Sequence, residues 1–268
     1  MLKLIRQLAV LSALTSYSFF IGTSSVKAQN PNPVCPPSGT VPNLPANGGC
    51  KGTPSRYEII IYEMGLCTAD PLGSGTFVRT TCSATFTGPT TADLAGGASV
   101  SLGSSGSRPA DGSYSHAYIV MGNTFGLSGE YELSAGSLAG TYRSDSNGRA
   151  VLNGALTNFT ETLDNFDHPN ACDPEASDTV GGGTLTAVVA DTTLVTASSC
   201  TGVSRIVASF APSSSIVIDS AATGLKVTFS VTDNGMTVMD DDGINNPKTG
   251  VVTAFTSGPF SPTFTILN

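Results

Sequence analysis

The sequence predicts an all-β protein, an antiparallel β-sandwich or jelly-roll-like fold, held by disulfides and preceded by a cleaved signal peptide. Three observations carry that expectation. Short runs with period-two alternation fill the chain, all six cysteines lie beyond residue 28, and the N-terminus turns from basic to apolar within ten residues.

The N-terminus sets the frame. Lys3 and Arg6 are followed by a mostly apolar stretch over 8–22, and Val26-Lys27-Ala28 places a cleavage site after Ala28. Ser12, Thr15, Ser16 and Ser18 interrupt the apolar run, which is shorter than the ~20 residues a spanning helix needs. Residues 1–28 are therefore assigned to a signal peptide, 29–54 to a proline-rich N-terminal segment and 55–268 to a β-sandwich-type domain. A candidate internal boundary lies at 164–183, which holds Pro169, Pro174 and Gly181-Gly182-Gly183. No later stretch is long and apolar enough to span a bilayer as a helix.

The full chain carries 12 Lys and Arg against 20 Asp and Glu, a net charge of −8. Cleavage would remove Lys3, Arg6 and Lys27 and no acid, leaving −11 on 240 residues. Such a chain repels phosphate backbones, so nucleic acid is not expected as a partner. Charged residues make up 12%, about half the ~25% usual in soluble proteins, and Ser, Thr and Gly take their place.

Cys35, Cys50, Cys67, Cys82, Cys172 and Cys200 form an even set in an exported chain, which predicts disulfides rather than a zinc site. Sequential pairing, Cys35–Cys50, Cys67–Cys82 and Cys172–Cys200, closes the shortest loops and is expected on entropy.

Seven prolines make residues 29–54 linker-like. Tyr57-Glu58-Ile59-Ile60-Ile61-Tyr62-Glu63-Met64 is largely apolar on both faces and predicts a central strand covered on both sides. Further strands are expected at 75–86, 99–102, 113–121, 126–133, 140–144, 149–153, 156–163, 183–190, 193–198, 204–210, 215–219, 251–256 and 263–267. One short helix at 91–97 is the most the pattern allows. Leu225, Val227, Phe229 and Val231 alternate with Lys226, Thr228, Ser230 and Thr232, and Asp233-Asn234-Gly235 then leads into 236–240. That pattern predicts a strand–turn–strand hairpin.

Chemistry-bearing residues are few. Asp111, Ser113, Ser115 and His116 supply the residue types of a Ser/His/Asp triad without a nucleophile elbow, and His116 is expected to share a strand face with Tyr114 and Tyr118. Glu161, Asp164, Asp167, His168, Asp173, Glu175 and Asp178 form an acidic stretch. Asp240, Asp242 and Asn245 are a calcium candidate in a loop of consecutive aspartates, and calcium is the one cofactor the residues suggest. Glu130 and Glu132 lie on one strand face, as a glycosidase pair or a solvent-facing pair would. Asn158-Phe159-Thr160 is a formal glycosylation sequon. There is no tryptophan, so sugar stacking would fall to tyrosines.

The expectation is a secreted or cell-surface structural or interaction protein, of the appendage, coat or adhesin-like kind, without catalysis. Its partner would be a second copy or another surface protein. The alternatives are a soluble extracellular glycan- or ligand-binding module, assisted by calcium, and a secreted hydrolase using carboxylates.

Overall fold

The computed structural model describes residues 33–37, 39–40, 49–95, 106–135, 138–166, 171–240 and 251–268. The leader and the segment bearing Asp242 and Asn245 lie outside the described residues, as do the expected strand at 99–102 and the side chain of Asp240.

Strand follows strand. β1 (Gly39–Thr40) and β2 (Gly49–Gly52) lead into the long β3 (Arg56–Cys67). A 3₁₀ turn at Arg79–Thr81 opens the equally long β4 (Cys82–Asp93). Next come β5 (Gly112–Tyr114), β6 (His116–Gly122), β7 (Thr124–Ser128), β8 (Glu130–Ala135), β9 (Gly140–Ser144) and β10 (Ala150–Leu152). The second half adds β11 (Phe159–Thr162), β12 (Glu175–Val180), β13 (Gly183–Ala190), β14 (Arg205–Pro212) and β15 (Ile216–Ile218). β16 (Gly224–Ser230), β17 (Met236–Asp240), β18 (Val252–Ser257) and β19 (Ser261–Leu267) complete the set. Among the described residues there is no α-helix, and the pairing between strands is antiparallel except for β1 against β8.

Eight strands form one large sheet. β3 lies between β4 on one side and the consecutive β6 and β7 on the other; β14, β13 and β12 extend from β6, and β11 from β7. Alternation sorts its side chains onto two faces. Ile119, Met121, Ala187, Val189, Ile206 and Ala208 enter the main core, while Tyr118, Val120, Val188, Ala190 and Val207 form a second cluster. A bulge between Ile61 and Glu63 shifts the register of β3, so that Ile61 and Met64 both serve the main core although three positions apart.

The main core also takes Tyr131 and Leu133 from β8, Tyr142 from β9, Met236 and Val238 from β17, and Val252 and Phe255 from β18. The smaller sheets thus pack on one face of the large sheet. Val227 and Phe229 of the β16–β19 ribbon join them there, and its Leu225, Phe264 and Ile266 pack against a third cluster around Leu66, Tyr114, Ile216 and Ile218. Two loops cover part of the opposite face: 68–81, through Leu72 and Phe77, and 191–196, through Leu194.

Three disulfides join Cys35 to Cys50, Cys67 to Cys82 and Cys172 to Cys200, the sequential pairing expected from loop closure. The first ties 33–35 to β2, where the Cys35 amide donates to the Lys51 carbonyl at 2.8 Å. Part of the proline-rich segment is therefore strand, not linker. Strands from both sides of 164–183 share the large sheet, and β12 begins inside that stretch.

Four local expectations are corrected. Ile60 is exposed, so β3 is not covered on both faces along its whole length. The apolar run 193–198 is a turn rather than a strand, because the Asp191 carboxylate captures the Thr193 and Val195 amides. Residues 91–93 belong to β4 and are not helical. The turn at Asp233-Asn234-Gly235 exists, with Asp233 at φ 57° and the Asn234 and Gly235 amides donating to the Val231 carbonyl, but it does not close a hairpin. β16 pairs with β19, and β17 pairs with β2 and β18. The Asp233 amide donates to Thr53 Oγ1 at 2.9 Å, which ties the turn to the end of β2 and sends the chain into a different sheet.

Candidate functional site

The sequence candidates are dispersed. Asp111 pairs with Arg108 at 2.6 Å and Ser113 is exposed on β5. Ser115 Oγ lies 2.9 Å from His116 Nδ1 but donates its proton to the Thr68 carbonyl at 3.0 Å. The Thr68 carbonyl thus competes with Nδ1 for the hydroxyl proton. A bend at Ser115 also puts Tyr114 and Tyr118 in different apolar clusters, so His116 does not share one face with both.

Glu130 pairs with Arg143 across β8 and β9 at 3.0 Å, and Glu132 stays exposed while Tyr131 is buried between them. In the acidic stretch, Glu161 accepts the Ser257 amide, Asp178 pairs with Lys51 at 2.7 Å, and Asp173 accepts the Glu175 amide at 3.4 Å. Asp167 and His168 lie outside the described residues. Among the described residues no group of three or more His, Cys, Asp or Glu side chains is placed to hold a metal ion. Asn158 is exposed immediately before β11, beside buried Phe159.

The structure instead assembles a site that no motif marked. Between the loops 68–81 and 191–196, the second face of the large sheet opens as a cleft of about 590 Å3. Tyr62 and Glu63 of β3, Val120 of β6 and Arg205 of β14 form its floor, and Phe77, Arg79, Thr192, Thr193 and Leu194 form its walls.

Sheet order brings these groups together. Arg205 pairs with Gly122, the last residue of β6, and Met121 beside it pairs with Ile61 on β3. Gly122 has no side chain, and a Cβ there would stand in ordinary contact with Ile60 and the Tyr62 ring, at 3.8 and 3.9 Å. Arg205 reaches across β6 and lays its guanidinium over Tyr62, with Cζ 3.7 Å from the ring centroid. Its Nη1 donates to the Ser204 carbonyl at 2.8 Å, and among the described residues no carboxylate lies within 4.0 Å of it.

The other half of the cleft is a closed network. The Tyr118 hydroxyl donates to Glu63 at 2.6 Å, and Arg79 pairs with the second Glu63 oxygen at 2.7 Å. Tyr118 lies over Gly65, where a Cβ would stand 2.5 Å from the ring. Burial, then the hydrogen bond and charge of Glu63, push the Tyr118 phenol above its ordinary range. Phe77 meets Tyr118 with ring centroids 5.1 Å apart, and the Arg79 guanidinium sits 5.4 Å from the Phe77 centroid.

Both walls are fastened. Asp191 accepts from the Thr193 hydroxyl at 2.7 Å and from the Thr193 and Val195 amides, bonds that hold its carboxyl below the usual range. Leu194 is held at φ 67°, a conformation costly for a bulky side chain, while that side chain packs on the second cluster. Thr196 Oγ1 donates to the Gly75 carbonyl at 2.7 Å and ties the two loops together. Cys67–Cys82 closes the base of the first loop.

The arrangement offers a rigid positive fork, an acceptor, hydroxyls and apolar ring surface to an incoming ligand. Tyr62 was legible only as a strand residue, and Arg205, 143 positions later, gave no spacing signal. No family model matches the chain, and neither curated proteins nor solved structures provide a match.

Proposed function

We propose that the chain is an exported, disulfide-fastened, β-sandwich-like interaction module that works at the cell surface or in the surrounding medium and binds its ligand in the Tyr62–Arg205 cleft. Export rests on the leader pattern of residues 1–28 and on three disulfides, which persist in oxidising compartments. The sandwich reading rests on the smaller sheets and the β16–β19 ribbon packing one face of the large sheet.

The observation that carries the binding reading is Arg205. A guanidinium is stacked on an aromatic ring 3.7 Å away, opens into a cleft, and has no ion-pair partner among the described residues. The cleft's volume of about 590 Å3 falls within the ~300–1,000 Å3 range typical of ligand pockets. The test is a glycan array of neutral and acidic sugars probed with the oxidised chain and with Phe77→Ala and Arg205→Ala. Binding that both substitutions weaken is expected; no bound glycan, or binding indifferent to both, contradicts it.

A second reading is favoured by one surface. Val151 and Leu152 on β10 are 43% and 37% exposed on the outer strand of their sheet, with Leu138 and Leu156 exposed nearby in sequence. An apolar outer strand is a template for pairing between copies, as in an appendage or coat. Light scattering of the purified chain should then report a concentration-dependent oligomer that Val151→Lys reduces to monomer. Monomers at every concentration of the unaltered chain would remove this reading.

A further inference from the structure

We infer that the cleft selects a sugar bearing a carboxylate, a hexuronate unit of an acidic glycan; this rests on the binding reading above and gives its ligand a chemical class. The guanidinium of Arg205 presents five N–H donors in one plane, and a carboxylate matches that fork with two parallel hydrogen bonds. Stacking on Tyr62 fixes the plane, and the bond to Ser204 engages one nitrogen, Nη1. The lining holds two guanidinium groups against the single carboxylate of Glu63, in a chain whose net charge is −8. Asp191, the nearest acid in sequence to the wall residues, is turned into its own loop by three hydrogen bonds. With Arg79 matched to Glu63, Arg205 is the one lining cation without an ion-pair partner among the described residues, and the Asp191 charge beside the wall is engaged by its own loop. A general polyanion would be repelled by the rest of the surface, while one anionic group can be taken up at this point.

The remaining groups fit a pyranose. Each Glu63 oxygen accepts one bond from the protein, so the carboxylate retains acceptor capacity for sugar hydroxyls. Thr192 is exposed at the rim and adds a hydroxyl that can donate or accept. Phe77 and Leu194 give an apolar surface for the C–H face of the ring. The Asp191 turn, the Thr196–Gly75 bond and the Cys67–Cys82 bridge hold these groups in place before the ligand arrives, which lowers the ordering cost of binding.

Calorimetric titration with neutral oligosaccharides that end in a single galacturonate or glucuronate, each beside its methyl ester, tests the inference on the oxidised full chain. The ester keeps the sugar and removes the charge. The acid of at least one series is expected to bind at least tenfold tighter than its ester, and Arg205→Ala to abolish that difference. Arg205→Lys is expected to recover only part of it, because an ammonium cannot form the fork. Ester and acid binding equally, or a sulfated neutral sugar competing as well as the uronate, would overturn the carboxylate assignment. If Arg205→Ala fails to fold, the acid–ester comparison on the unaltered chain decides alone. Array binding of neutral glycans that depends on Phe77 would keep the binding reading and sink this one. No glycan bound in either experiment would sink both.

Discussion

Arg205 reaches Tyr62 across Gly122 of β6, and the stacked pair forms part of the floor of the cleft. Elsewhere, single residues secure the fold. Tyr57 is 1% exposed, packs edge-on against Phe125 and Phe260, and donates its hydroxyl to the Gly258 carbonyl at 2.7 Å. Tyr57→Phe leaves that carbonyl unpartnered and should cost about 1–2 kcal/mol in denaturant unfolding; an unchanged midpoint would refute the assignment. Burial, then the charge of Glu161, raises the Tyr57 phenol far above its ordinary value. The unfolded chain releases that proton first, so stability is full below about pH 10 and declines as pH rises beyond it. Asp191 works with the opposite sign. Its folded carboxyl is held below the ordinary value of about 3.9, so its contribution is present above that pH and is lost as pH falls further. Proteolysis of the 191–196 loop should therefore be unchanged between pH 7 and 5, and Asp191→Ala should make the loop a cleavage site at neutral pH. Equal protection in Asp191→Ala would show that the carboxylate does not hold the turn.

Strands were the legible unit. The bounds of β9 and β13 agree with those expected, because clean alternation and flanking glycines mark both. Alternation also predicted which side of β16 faces solvent: Lys226 and Thr228 are exposed. What β16 pairs with was not legible. Asp-Asn-Gly signals a turn, but the Asp233–Thr53 bond redirects the chain, and pairing with β19 over seven residues wins over a hairpin. The run 193–198 has strand composition, yet one aspartate two residues upstream takes its backbone donors. The disulfide between directly paired Cys67 and Cys82 brackets the loop that carries Phe77 and Arg79. Replacing both cysteines with alanine should lower stability by about 3 kcal/mol, as expected for a loop of fifteen residues. It should also raise amide exchange in 68–81 more than removal of Cys35–Cys50 does. Equal exchange in the two variants would mean that the bridge does not fasten the cleft wall.

At the scale of the whole molecule, the β class and the oxidised cysteines were readable because local pattern and cysteine count determine them. The cleft was not, because it joins β3, β6 and β14 with two loops from opposite halves of the chain. No local spacing encodes such a meeting, which follows only from the order of strands in the large sheet. Binding as proposed requires that meeting to be the place where a ligand sits. Amide shift mapping of the oxidised chain, titrated with the glycan that the array selects, tests it most directly. Shifts concentrated at Tyr62, Phe77, Thr193 and Arg205 are expected. Shifts confined to β10 and its neighbours, or none at saturating glycan, would contradict it.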